Sequence, residues 1–269
     1  MKNILFIRDI VGEDGMYLVL DLLPRIMRDF EIDFVIANGE NLNKGKGLSV
    51  KQANQLHEGG VSAITTGNHI WSTKADNSAY QKLPFVLRPH NYPLDNLGNG
   101  YFPTKMSDGT LITVINLQGR SFMFPIDCPF AAADVLIDQL KEKPQISIID
   151  IHAESTAEKQ AFARYVDGRV SAVFGTHTHV QTADERVFQK GTGYITDVGM
   201  TGPFESVIGM EIDTAVKRFR YQTPFYYKLA EGDLRLNGVL IKVNENTYKT
   251  TSIERFNFSK TEYNGRKNH

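Results

Sequence analysis

Short apolar runs alternate with helical patterns along most of the chain. The runs are four or five residues long and rich in β-branched side chains, as in strands that are buried on both faces of a sheet. Between them, apolar residues from Met16 to Phe30 repeat at three- and four-residue steps, which predicts a helix that Pro24 kinks or breaks. Ser49 is predicted to cap a second helix that ends before Gly59. Strands are predicted at 3–7, 34–37, 63–66, 85–87, 145–150, 172–174 and 193–196, and further helices at 74–82, 131–141 and 156–167.

Two hairpins accompany this alternation. Residues 102–119 predict one around Ser107, Asp108 and Gly109, since Asp-Gly suits a type I′ turn. Residues 236–243 and 248–256 predict another. The simplest α/β architecture is two stacked sheets, parallel toward the middle, with helices outside. We expect one domain over residues 1–260 and a loose polar tail over 261–269.

Composition narrows the classes of protein. A hydrophobic content of 41% supports a large core, and a net charge of -1 gives no reason to expect a duplex nucleic acid or a membrane as partner. The single cysteine, Cys128, fits a reducing compartment. With no long apolar stretch and no signal-peptide pattern at the N-terminus, the sequence leads us to expect a cytoplasmic protein.

Polar, chemically versatile residues follow five of the predicted strands. The carboxyl ends of strands in an open α/β sheet meet at one crevice, so these residues are expected to converge. Each of them alone could be an ordinary turn or loop residue, but the shared position of all of them is hard to attribute to chance. They are Asp9, Glu40, Asn41, Asn68, His69, His152, His177 and His179.

These residue types indicate a metal site. Histidine and carboxylate ligands suit Zn, Mn or Fe, and so many groups suit two ions about 3.5–4 Å apart, as in two-metal hydrolases. Two divalent cations carry four positive charges, of which Asp9 and Glu40 would cancel two. The remaining positive charge would suit a hydroxide and a phosphate oxygen.

Nine segments of the chain, in order, resemble the YmdB-like family of calcineurin-type metallophosphoesterases. The resemblance implies a four-layer αββα sandwich of two mixed sheets flanked by helices. It also implies a phosphodiesterase that acts on cyclic nucleotides, in 2′,3′- or 3′,5′-cyclic form. The segments are DIVG at 9–12, NGEN at 38–41, GKGL at 45–48, GNHIW at 67–71, RPHNYP at 88–93, INLQGR at 115–120, HAESTAEK at 152–159, GTHTHVQTAD at 175–184 and ITDVGMTGP at 195–203.

The resemblance also implies a role for each site residue. Asp9, Asn41 and His179 would hold one metal. Asn68, His152 and His177 would hold the other, and Glu40 would bridge the two. His69 would be the general acid. In an extended loop, residues two apart point the same way, so His177 and His179 are expected to reach two adjacent metals.

Arg8 departs from the family pattern, which usually has glycine before this aspartate. A long cationic side chain beside a dication is unfavourable, so we expect Arg8 to point away from the metals. The alternative is that it reaches a substrate phosphate. Asp150 and Asp197, which also follow strands, are candidates to orient metal-bound histidines.

The sequence thus predicts a two-metal phosphodiesterase in which a metal-bridging hydroxide attacks phosphorus and His69 supplies the proton. Its substrate would be a small phosphodiester, such as a nucleotide, and the chain could form a homo-oligomer. Two alternatives stay open. One is a phosphomonoesterase or nucleotidase on the same scaffold, and the other is a regulatory protein that binds metal and nucleotide but turns over little.

Overall fold

The computed structural model describes residues 1–72, 78–143, 145–226 and 228–265. Its strands are β1 Lys2–Ile7, β2 Phe34–Asn38, β3 Ala63–Thr65, β4 Tyr101–Lys105, β5 Leu111–Gln118, β6 Ile146–His152, β7 Ala172–Thr176, β8 Arg186–Val187, β9 Gly193–Ile195, β10 Gly202–Pro203, β11 Leu234–Val243 and β12 Thr250–Ser259. Its helices are α1 Gly12–Asp29, α2 Val50–Glu58, α3 Ser78–Lys82, α4 Pro129–Leu140, α5 Thr156–Tyr165, α6 Ile212–Tyr221 and α7 Lys260–Gly265.

The strands form two mixed sheets. One has the order β10-β11-β1-β2-β3, with β12 also paired to β11, and the other has the order β4-β5-β6-β7-β9-β8. Strands β1, β2 and β3 run parallel, as do β5, β6, β7 and β9. The parallel centre of each sheet therefore presents its strand ends at one edge, as predicted.

Alternate residues of the central strands enter different cores. In β1, Leu5 and Ile7 pack in the core that also contains residues of α1 and α2, whereas Ile4 and Phe6 pack between the two sheets. Phe6 meets Phe174 of the other sheet with ring centroids 4.9 Å apart. A third core lies between the second sheet and helices α4 and α5. Three cores separate four layers, and the predicted αββα sandwich is confirmed.

Most predicted elements are present, with local differences. Helix α1 continues through Pro24 without a break. Residues 85–87 form isolated bridges to Ile64 and Asn99 instead of a strand. The hairpin turn is not type I′, because Gly109 has φ 90° while Asp108 is not among the residues with positive φ. Of the helix predicted over 74–82, residues 74–77 lie outside the described part.

The structure differs from the predicted loose tail at residues 261–265. They belong to α7, where the Tyr263 ring is buried 5.0 Å from the Phe258 ring and its hydroxyl donates to Asp29 at 2.7 Å. The apolar ring anchors a segment whose other residues are polar. Residues 266–269 lie outside the described part. Over the described residues, no helix has the length and hydropathy needed to cross a bilayer.

Candidate metal centre

All seven predicted metal ligands meet at the carboxyl edge of the two sheets. Asp9 follows β1, Glu40 and Asn41 follow β2, and Asn68 follows β3 within three residues. His152 ends β6, and the residue after β7 is His177, with His179 two positions on. The structure therefore brings these residues together as expected, and the contacts within the cluster divide them into two groups.

The first group is centred on His179. Its Nε2 lies 3.3 Å from Asp9 Oδ2 and 3.0 Å from Asn41 Nδ2. Rotating the Asn41 amide by 180° would present its oxygen instead of its nitrogen to the same point. These three residues are those expected to hold one ion.

The second group is centred on His152. Its Nε2 lies 3.0 Å from Glu40 Oε1, 2.9 Å from Asn68 Oδ1 and 3.1 Å from His177 Nδ1. The His177 main-chain N–H also donates to Asp9 Oδ2 at 3.3 Å, which links this group to the first. Glu40, His152 and His177 each offer a ligand atom within 4.8 Å of the others, and this combination of histidine and carboxylate has the composition of a metal site.

Hydrogen bonds on the outer nitrogen of each histidine fix which nitrogen faces the cluster. Nδ1 of His152 lies 2.8 Å from Thr176 Oγ1, and that hydroxyl donates to Asp150 Oδ1 at 2.7 Å. Since the hydroxyl proton is already committed, His152 Nδ1 must be the donor. In neutral His152, Nε2 is then left with a lone pair directed at the cluster, as in metal-binding histidines.

The other two histidines are held in the same way. Nδ1 of His179 donates to the Ile208 carbonyl at 2.9 Å, which leaves Nε2 free for a ligand role. His177 uses the opposite nitrogen: Nε2 lies 3.1 Å from Glu154 Oε2, so Nδ1 faces His152. All three imidazoles can thus direct a lone pair to the interior of the cluster.

The donor set fits metal ions. Lone pairs of Glu40, Asn68 and His177 converge on His152 Nε2, and a cation among them would relieve their mutual repulsion. Asp9 Oδ1 is buried and has no hydrogen-bond partner among the described residues, as a carboxylate oxygen reserved for a metal would be. Gly67 also leaves space here, because a Cβ at this position would overlap Glu40 Oε2 and His152 Nε2.

Without a metal, the charges of the cluster stabilise one another. Burial alone would raise the pKa of Asp9, but the Arg8 guanidinium and His179 hold it well below its usual range. Burial likewise opposes the charge of His152, but the Glu40 carboxylate raises the pKa of that histidine above its usual value. Burial and the neighbouring His152 lower the pKa of His177 to about 3, so His177 is neutral, the form that binds metals.

His69 lies at the cluster but is not one of the seven predicted ligands. Its main-chain N–H donates to Glu40 Oε2 at 3.2 Å, and its Nδ1 lies 3.3 Å from Ser72 Oγ. Burial lowers the pKa of His69, although the Glu40 carboxylate acts in the opposite direction. A lower pKa makes the protonated imidazole a stronger acid.

The loop that carries His177 and His179 is not extended, contrary to the prediction. His177 has φ 101° and His179 has φ 64°, both in the left-handed region that non-glycine residues rarely adopt. Each such residue costs on the order of 1–3 kcal/mol, a strain that is typical of functional sites. The two side chains reach the two ligand groups because of this backbone conformation.

The expectation that Arg8 points away from the metals is also wrong. Its side chain is fully buried, forms an ion pair with Asp197, and has Nη2 3.7 Å from Asp9 Oδ2. The alternative, a contact with substrate phosphate, does not fit a side chain with 0% exposure. Arg8 instead lies beside a proposed ligand, within the protein.

The sequence analysis named Asp150 as a candidate to orient a histidine, but it missed the side chains that connect Asp150 to the cluster. Asp150 supports His152 only through Thr176, and its carboxylate also accepts from Asn38 and Thr65. Burial raises the pKa of Asp150 to about 6. Position after a strand indicated Asp150, but nothing in the sequence distinguishes a hydroxyl that orients a histidine from one that caps a turn.

Thr176→Val should weaken the binding of Mn²⁺ by about 10- to 100-fold, the usual cost of removing a group that orients a metal ligand. Valine keeps the shape of threonine but cannot accept the His152 Nδ1–H, so the ring loses its fixed orientation. Titration calorimetry of the metal-free protein measures the affinity. Thr192→Val, at another buried threonine whose hydroxyl donates to the Val170 carbonyl, is the matched control. Equal affinities in both variants would contradict the assignment.

Comparisons with known proteins agree with this geometry. The sequence model of a family described as "YmdB-like protein" matches residues 5–256. A Bacillus subtilis (strain 168) protein named 2′,3′-cyclic-nucleotide 2′-phosphodiesterase is 46% identical over 253 residues, which cover 94% of this chain and 96% of that protein. A Mycoplasma pneumoniae protein named putative phosphatase/phosphodiesterase is 38% identical and is matched over 93% of this chain and 90% of its own length.

Solved structures share the fold. A crystal structure of a novel phosphatase from Mycoplasma pneumoniae has a TM-score of 0.90 and 37% identity, over 96% of this chain and 93% of that one. A hypothetical protein from Thermus thermophilus has a TM-score of 0.87 and 40% identity, over 95% and 98% of the two chains.

The fold and the site together define a hydrolase with a metallophosphoesterase-like architecture. The chain belongs to the YmdB-like family. Membership of this family implies a dependence on divalent metal ions, which the donor set at the strand ends is suited to bind.

Proposed function

We propose that the chain is a two-metal phosphodiesterase that hydrolyses cyclic nucleotides, with the 2′,3′-cyclic form as the first candidate substrate. One observation carries the proposal. Three oriented imidazoles lie together with carboxylate and amide groups, so that their ligand atoms face one another in a single cluster. The B. subtilis relative named as a 2′,3′-cyclic-nucleotide 2′-phosphodiesterase supports the substrate class. The 3′,5′-cyclic form is proposed as a second substrate to be tested beside it.

Asp9, Asn41 and His179 would hold one ion, Asn68, His152 and His177 the other, and Glu40 both. Bound ions, whether Fe, Mn or Zn, would supply Lewis-acid stabilisation of the phosphate charge and activation of water. The chain's own residues provide the rest. Outer hydrogen bonds fix the imidazole rings, and burial of Asp9 and Glu40 keeps bulk water from their carboxylates.

His69 would donate the proton to the leaving oxygen. Its main chain is anchored to Glu40 and its Nδ1 faces Ser72, so Nε2 is the nitrogen available to the substrate. The partly buried position suits a group that must meet both the cluster and an incoming ester. We further propose that the enzyme acts in the cytoplasm, where its free Cys128 would stay reduced.

The choice between diester and monoester hydrolysis is tested with two chromogenic substrates. Bis-p-nitrophenyl phosphate should be hydrolysed faster than p-nitrophenyl phosphate by the metal-loaded protein, and chelation should stop both reactions. Faster monoester hydrolysis would contradict the proposal in favour of a phosphomonoesterase or nucleotidase. A metal-loaded protein that hydrolyses neither these esters nor cyclic nucleotides would instead be a binding protein.

A further inference from the structure

Three charged side chains lie buried beside the proposed ligand Asp9. They are Arg8, Lys159 and Asp197, with exposed fractions of 0%, 1% and 1%. Arg8 follows β1, Lys159 lies on α5, and Asp197 follows β9. Charged residues are almost never fully buried unless they are paired, so the arrangement of these three needs an explanation.

Asp197 is the counter-ion of both cations. Its Oδ1 pairs with Arg8 Nη1, and its Oδ2 accepts from Lys159 Nζ at 2.7 Å. Arg8 in turn has Nη2 3.7 Å from Asp9 Oδ2. One buried carboxylate is thus paired with two buried cations, of which one lies directly beside a proposed metal ligand.

The same carboxylate is bonded to the loop that carries the histidines. Asp197 Oδ2 accepts the main-chain N–H of Thr178 at 3.2 Å, and Oδ1 accepts that of Gly199 at 3.2 Å. Thr178 lies between His177 and His179, the two residues with left-handed backbone. Asp197 therefore helps to hold the strained segment from which both ligand groups receive a histidine.

The charges have a consequence for metal binding. Arg8 and Lys159 carry two positive charges in a dry region where a divalent ion would be repelled strongly, and Asp197 cancels one of them. We propose that Asp197 is a positioning residue for the metal centre, which holds the His177–His179 loop and neutralises the buried cations beside Asp9. This inference rests on the proposed function, since it assumes that the cluster binds metal.

Charge-changing variants separate this role from a purely structural one. The network of Arg8, Lys159 and Asp197 has a net charge of +1 in the wild type. Asp197→Asn raises it to +2, Lys159→Met lowers it to zero, and the double variant returns it to +1. A structural role alone would make the double variant bind metal no better than Asp197→Asn, whereas the electrostatic role predicts recovery.

The test is titration calorimetry of Mn²⁺ into metal-free, full-length protein. Asp197→Asn should weaken binding by about 10- to 100-fold, as is typical for outer groups that support metal ligands. Lys159→Met should bind at least as tightly as the wild type, and the double variant should regain most of the lost affinity. Circular dichroism would reveal whether Asp197→Asn alone fails to fold. In that case the Mn²⁺ affinities of the wild type, Lys159→Met and the double variant still test the inference.

Asp184→Asn is the matched control. Asp184 also accepts hydrogen bonds from this part of the chain, from Thr182 and Thr196, but its ion pair is with the partly exposed Arg186. Its variant should bind Mn²⁺ like the wild type. Wild-type affinity in Asp197→Asn, or a double variant no better than Asp197→Asn, would overturn the inference. Failure of the wild type to bind Mn²⁺ or other divalent ions would instead overturn the proposed function.

Discussion

His69→Ala should lower the rate of cyclic-nucleotide hydrolysis by about 10²- to 10⁴-fold, the usual effect of removing a general acid. Its metal content should not change. The residue contacts the cluster through its main-chain N–H to Glu40, which alanine retains, whereas the imidazole is not among the ligand atoms. Metal content by elemental analysis and turnover on 2′,3′-cyclic AMP are to be measured on one preparation.

A substrate with a better leaving group provides a second, independent test of the role of His69 in the same variant. Bis-p-nitrophenyl phosphate releases p-nitrophenolate, which needs little protonation, so its hydrolysis should suffer much less from the loss of His69. His57→Ala is the control, because His57 is an exposed histidine that stacks on Phe85 with ring centroids 4.0 Å apart. Equal losses on both substrates, or a metal-depleted protein, would make His69 a ligand or a structural residue.

Glu40→Gln should deplete both ions, because the proposed bridge serves both. The side chain is 1% exposed, with Oε1 3.0 Å from His152 Nε2. Glutamine preserves the shape but removes the negative charge that attracts the cations, so hydrolysis should fall with metal content. Elemental analysis after purification measures the occupancy.

His179→Ala is the informative comparison, since His179 belongs to one ligand group and its loss should empty only one site. Glu58→Gln, at the exposed end of α2, controls for the loss of one carboxylate and should retain both ions. Small and equal losses in Glu40→Gln and His179→Ala would contradict the bridging role.

The fold was largely predictable because buried strands and helices require a characteristic pattern of apolar residues along the sequence. Strands covered on both faces, such as β1 and β6, are rich in apolar residues, and polar residues follow at the sheet edge. The convergence of the seven proposed ligand positions followed from that rule. Helix α6 was not predicted, and its apolar residues Ile212, Val216 and Phe219 are exposed in the chain as described.

Some parts of the site could not be predicted, because they depend on contacts between residues that are far apart in the sequence. A main-chain carbonyl holds His179, and a threonine hydroxyl holds His152. The left-handed backbone of His177 is set by the surrounding structure and not by its residue type. Arg8 could not be oriented from sequence, because its counter-ion Asp197 is 189 residues away along the chain.

The most direct test of the two-metal account is to titrate metal-free protein with Mn²⁺ while following both bound metal and hydrolysis of 2′,3′-cyclic AMP. The account predicts two bound ions per chain, with hydrolysis rising to its maximum only as the second ion binds. Saturation of both binding and activity at a single ion per chain, or full activity in the presence of a chelator, would contradict it.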